Sequence, residues 1–143
     1  MSKKKTYYVF NEKFKLGKIG ELKMSEKLVT AATEFRDEIP ELEGLLIGKL
    51  DGEIIWGDTL KDLNHEFILS SASVALRATK KLSESIEKNN VKNIDIEIDE
   101  GYATIVVLKK GIVVGFYGDD ARSQLGIIKK NLRNFANKIE KFI

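Results

Sequence analysis

Two apolar runs, Leu42–Leu50 and Glu53–Trp56, are joined by Asp51-Gly52 within the stretch ELEGLLIGKLDGEIIWGDTL at residues 41–60. Asp-Gly is the preferred pair for a two-residue hairpin turn, whose central residues need positive φ; Gly takes it freely and Asp tolerates it. The pattern predicts two antiparallel strands. In the first, Leu45 and Ile47 point one way and Leu46 and Leu50 the other. A strand with apolar residues on both faces has to be covered on both, and the rest of the chain reads as what covers and extends this hairpin.

A helix is predicted over Glu21–Ile39, where Leu28, Ala32, Phe35 and Ile39 form one stripe. Ser25 is an alternative N-cap, and Pro40, the only proline, supplies the stop. After Trp56 the segment GDTLKDLNHEF reads as a polar loop in which Asp62 or Asn64 caps a second helix running to about Lys88. Its sheet-facing row is expected to be Ile68, Ala72, Ala75, Leu82 and Ile86, beside a second row of Phe67, Ser71, Val74 and Ala78. The first half, Ser70 to Ala78, is small-sided enough for another backbone to approach.

Three strands follow at Val91–Asp99, Tyr102–Lys109 and Ile112–Tyr117, with turns at Glu100-Gly101 and Lys110-Gly111. In the first, Ile94, Ile96 and Ile98 alternate with Asp95, Glu97 and Asp99, which predicts an edge strand with one buried and one acidic face. The next two are apolar on both faces and belong at the centre. A closing helix starts at Asp119-Asp120, whose carboxylates suit the positive helix end. Leu125, Ile128, Leu132, Phe135, Ile139 and Phe142 form its core stripe, with Lys129, Lys130, Arg133, Lys138 and Lys141 outside. The order α-β-β-α-β-β-β-α predicts an α/β fold in which one five-stranded antiparallel sheet is sandwiched between helices, a layering similar to profilin and longin domains.

Residues 21–143 are expected to form a single domain behind a basic arm, residues 1–20. The arm is read as extended or loosely ordered, because Tyr8, Phe10, Glu12, Phe14 and Leu16 fall at period two. Residues 1–23 carry a charge of +5 and the remainder −3, so no basic stripe for nucleic acid is visible on the body. Lys3–Lys5 beside Tyr7, Tyr8 and Phe10 offer weak contact with an anionic membrane or RNA. The chain has no cysteine, which removes disulfides and thiolate chemistry. With no apolar run of membrane-spanning length and no signal-peptide core, a cytoplasmic location is expected.

Chemistry is sparse. Gly17-Lys18-Ile19-Gly20 lacks the spacing of a phosphate loop. His65, the only histidine, has no nucleophile elbow to serve and is expected on the surface at a helix start. Asp58, Asp62 and Glu66 match no calcium loop and are read as capping and solvated groups. Trp56 is read as core or interface. No catalytic residue, cofactor or metal is expected.

The order of elements resembles the roadblock family of dynein light-chain and GTPase-regulator domains over about residues 25–142. The resemblance is carried by Leu42-Glu43-Gly44-Leu45-Leu46-Ile47 leading into Asp51-Gly52-Glu53-Ile54-Ile55, by the small-residue helix Ser70–Ala78, and by Leu125-Gly126 early in the closing helix. It implies the sheet order second, first, fifth, fourth, third. It also implies a homodimer joined through Phe67, Ser71, Val74 and Ala78 and through the edge residues Ile94, Asp95, Ile96 and Glu97. The implied function is a non-catalytic module that binds or regulates a small Ras-like GTPase, with Arg77 and Arg122 as partner-binding candidates. A structural adaptor of a membrane or motor complex, and a longin- or profilin-like ligand sensor, remain as alternatives.

Overall fold

The computed structural model describes the backbone from Ile19 to Ile143 and side chains from Glu26 onward. The basic arm and its membrane contact lie outside the described residues, apart from the backbone of Ile19 and Gly20. The elements are α1 (Ile19–Glu38), β1 (Leu42–Lys49), β2 (Ile54–Thr59), α2 (His65–Ser85), β3 (Asn93–Ile98), β4 (Gly101–Val107), β5 (Gly111–Gly118) and α3 (Leu125–Ile139). All five strands are antiparallel to their neighbours, in the order β2-β1-β5-β4-β3. This is the order that the resemblance implies.

The two faces of β1 divide the core as its alternation predicts. Leu45 and Ile47 join the residues of α1 and α3 in one cluster, while Leu46 joins Leu69, Ala72 and Leu76 of α2 in another. Leu28, Ala32, Phe35 and Ile39 are all buried, as are Ile128, Leu132, Phe135 and Ile139 on α3. The two helices meet through stacked Phe35 and Phe135 rings, 4.4 Å apart at 10°, worth about 0.5–1.5 kcal/mol beyond the area they bury. Trp56, only 2% exposed, is core.

The local chemistry departs from expectation in several places. The first hairpin closes over three residues, Leu50 to Gly52. Gly52 N–H donates to Lys49 C=O, Lys49 N–H donates to Glu53 C=O, and the Asp51 carboxylate accepts from Glu53 N–H. Only Gly52 carries positive φ (93°), so Asp51 acts by hydrogen bonding rather than by a left-handed backbone. In the later hairpins Gly101 and Gly111 are the first strand residues, paired with Ile98 and Lys49. Glycine is needed there because a Cβ would run into the carbonyl of Tyr117 or Gly48. The helix α1 runs unbroken through Ser25, which is therefore not a cap. A 3-10 turn, Asp119–Gln124, precedes α3 and takes the two aspartates out of the α-helix itself.

The second strand is longer than its apolar run. Gly57, Asp58 and Thr59 continue β2 opposite Leu46, Leu45 and Gly44, although their composition reads as loop.

Candidate interaction surface

The helix α2 begins at Asn64, whose side chain accepts from Phe67 N–H at 3.0 Å, the N-cap that the sequence predicts. Its buried face is Leu69, Ala72, Ser73 and Leu76. Ser73 Oγ donates to Leu50 C=O at 2.7 Å, tying the helix to the hairpin. This face sits one position away from the expected row: Leu82 is 61% exposed and Ile86 58%, while Ile68 and Ala75 are half-buried at its margin. It is Leu69, Ala72 and Leu76 that pack with Leu46, Ile105, Ile112 and Val114 of the sheet, and the C-terminal part of α2 stays exposed. Phe67, Ser71, Val74 and Ala78 all face outward, Phe67 at 68% and Val74 at 54% exposure.

The edge strand β3 continues this surface. Val107 N–H donates to Lys92 C=O, and bonded pairs alternate along an antiparallel ladder. From the register, Ile94 and Ile96 therefore turn their backbone groups toward β4, while Asn93, Asp95 and Glu97 turn theirs to the open edge. The side chains divide the other way. Ile94 packs into the cluster under α2. Ile96 and Ile98 are 39% and 59% exposed, so the apolar face expected to be buried is open in the single chain. On the opposite side, Asp95 accepts from Thr104 Oγ1 at 3.1 Å and from Asn93 at 3.3 Å, with Lys129 Nζ at 3.8 Å. Since the Thr104 proton is given to Asp95, the Tyr117 hydroxyl 2.9 Å away donates to Thr104. Burial pushes the Tyr117 phenol up from its ordinary value, which keeps that proton in place. A cation that meets this acidic edge thus comes from α3 of the same chain.

A buried polar cluster lies by the other edge of the sheet. Arg36 and Asp58 form an ion pair, Nε to Oδ2 at 3.5 Å, with both side chains under a tenth exposed. His65, expected on the surface, is 1% exposed, its ring lying where a Cβ on residue 57 would be, so Gly57 makes its room. Thr59 Oγ1 donates to Lys61 C=O at 2.6 Å and lies 2.9 Å from His65 Nε2. With the hydroxyl proton so committed, Nε2 must carry the imidazole proton and donate to Thr59. Burial lowers the His65 pKa against the opposing pull of Asp58 and Asp62.

A histidine whose folded pKa lies below its ordinary value of about 6.5 takes up protons more readily when unfolded. Its stabilising share is therefore complete above pH ~6.5 and is lost as the pH falls through the lowered folded pKa. We expect the urea midpoint to drop from about pH 7.5 to 5.5, and the drop to shrink in His65→Gln. Equal slopes in the two proteins would exclude His65 as its source.

No protein-family model and no curated protein matches the chain. Solved structures do. MglB of Myxococcus xanthus superposes with a TM-score of 0.71 at 13% identity, over 80% of this chain and 93% of that one. An MglB with a tetrameric arrangement gives 0.72 at 13% identity, over 82% and 88%. The Roadblock/LC7 domain from Streptomyces avermitilis gives 0.59 at 12% identity, over 76% and 88%. The chain has the roadblock fold. At these identities the likeness is one of architecture.

Within this roadblock fold the candidate residues separate into distinct places. Phe67, Ser71, Val74 and Ala78 share the outer face of α2, and Ile94, Asp95, Ile96 and Glu97 lie on the β3 edge. Arg77 and Arg122 are not brought together, since α2 and α3 cover opposite faces of the sheet. Arg77 reaches Ser73 Oγ at 3.4 Å, and Arg122 is held by Asp119 at 3.2 Å. Leu82 and Ile86, assigned from the sequence to the sheet-facing row, are surface residues. Among the described residues no group of three or more acidic, His or Cys side chains is placed to hold a metal, and no helix is long and apolar enough to cross a membrane.

Proposed function

We propose that this protein is a non-catalytic, cytoplasmic interaction module that forms a homodimer through α2 and β3 and binds a small Ras-like GTPase, as a scaffold or a regulator of its nucleotide state. One observation carries the reading. Of the eight large hydrophobic residues exposed among the described ones, seven lie along α2 and β3: Leu63, Phe67, Val74, Leu82, Ile86, Ile96 and Ile98. An apolar surface of this extent beside an open strand edge marks a protein–protein contact. The surface includes the residues that the family resemblance implies for a dimer contact, and the GTPase as partner rests on that same resemblance.

Any effect on hydrolysis would come through ordering of the GTPase's switch segments. Arg122 is held by Asp119 and Arg77 leans on Ser73, so neither guanidinium stands preset as an arginine finger. The test is a titration of this protein into a Ras-like GTPase from the same source, loaded with fluorescent GDP or a fluorescent non-hydrolysable GTP analogue. Saturable binding in one nucleotide state is the expected result. Binding to neither form would reject the GTPase reading and leave an adaptor that docks peptides on the β3 edge.

A further inference from the structure

The two edges of the sheet differ in a way that assigns a further contact to one of them. Leu60 N–H donates to Glu43 C=O. Along the β1–β2 ladder, Trp56 and Asp58 therefore turn their backbone groups to β1, while Gly57 and Thr59 turn theirs outward. On β3 the outward residues Asp95 and Glu97 are exposed, so water satisfies their backbone. On β2, Gly57 and Thr59 are buried, Thr59 completely. Gly57 is all backbone, so its burial is burial of the N–H and C=O themselves. Buried backbone groups are almost always paired, yet among the described residues no backbone group bonds to these. A strand edge in this state calls for another strand. We propose that the outer edge of β2 is a docking site for an extended segment, and that its occupant is this chain's own residues 7–16, which lie outside the described residues.

Pattern, reach and charge favour that occupant. Tyr8, Phe10, Phe14 and Leu16 fall at period two, the spacing of a strand with one apolar face. Residues 39–41 turn the chain from α1 back into β1, so α1 and β2 run in the same sense. Arg36 near the end of α1 meets Asp58 near the end of β2 at 3.5 Å. From Ile19 to Arg36 the helix rises about 26 Å, a distance that about eight extended residues cover. A segment returning from Ile19 therefore draws level with Asp58 at about residue 11 and runs antiparallel to β2. Asp37 and Asp58 act on Arg36, and Asp58 and Asp62 on His65, so three carboxylates gather about this edge. Residues 1–18 carry six lysines against Glu12 alone. A separate chain would have to bring the same alternation and charge from solution, whereas a segment joined to α1 is held near the edge by its own connection.

Hydrogen exchange of single amides, followed by NMR on the full chain, tests the assignment. The Gly57 and Thr59 N–H groups should exchange roughly 100-fold or more slowly than unprotected amides. The double variant F10P/N11P removes whichever of two successive N–H groups would donate to β2. In it that protection should be lost, while the Trp56 and Asp58 amides on the β1 side keep theirs. Unprotected Gly57 and Thr59 amides in the unsubstituted protein would overturn the proposal. So would protection that survives F10P/N11P, and if that protection falls on dilution the occupant is a second copy. Should the variant expose all four amides, a nitroxide on K13C in the otherwise unsubstituted chain decides, since the protein has no other cysteine. Broadened Gly57 and Thr59 signals would then sustain the docked segment, and sharp ones would overturn it.

Discussion

Val74→Asp is expected to turn the protein from a dimer into a monomer. Val74 is 54% exposed in the single chain and points away from the sheet, so an aspartate there costs the monomer only about 1 kcal/mol, mostly in helix propensity. In a dimer joined through α2 the introduced carboxylates would be buried in the contact without a counter-charge. Leaving an uncompensated charge in a dry contact costs about 3–5 kcal/mol, which weakens association by roughly 10²–10³-fold. Light scattering should then report the monomer mass at concentrations where the unsubstituted protein is dimeric, with far-ultraviolet dichroism unchanged. A dimer mass for the variant would remove α2 from the contact.

Asp58→Ala is expected to have the largest effect on folding. Burial lowers the pKa of Arg36, and Asp58 is the leading charge that opposes this. Removing the carboxylate takes away the ion-pair partner of the buried Arg36 guanidinium. The loss should be about 3–5 kcal/mol, seen as a fall of roughly 2 M in the urea midpoint for a chain of this size. Adding Arg36→Met should recover much of it, since an apolar side chain of similar length needs no partner. A loss under about 1 kcal/mol for Asp58→Ala would mean that the pair is solvated in solution.

Much of this architecture is legible in the residues. Leu45, Leu46 and Ile47 demand helices on both faces of β1, and the Gly-punctuated hairpins order the later strands. The sheet order comes from the resemblance, because hairpins alone do not say that β1 lies beside β5. The interaction row Phe67, Ser71, Val74 and Ala78 is legible as a row, but α2 carries a second apolar row one position over. Ile68, Ala75, Leu82 and Ile86 are chemically as good a core face, and only the packing of Leu69, Ala72 and Leu76 on the sheet decides between them. The buried cluster is not legible at all. Gly57-Asp58-Thr59 has the composition of a turn, and His65 that of a surface helix start. The partner of Asp58, Arg36, comes from a helix that lies some twenty residues earlier in the chain.

The function proposed for this protein is that of a homodimer of roadblock fold that takes up a Ras-like GTPase. Its most direct test is size-exclusion chromatography with light scattering on the protein alone and mixed with a Ras-like GTPase from the same source, loaded with GDP or with a GTP analogue. Twice the chain mass is expected for the protein alone, and a heavier species with the GTPase in one nucleotide state only. A monomer alone would contradict the dimer, and a dimer whose mass no GTPase changes would contradict the partner.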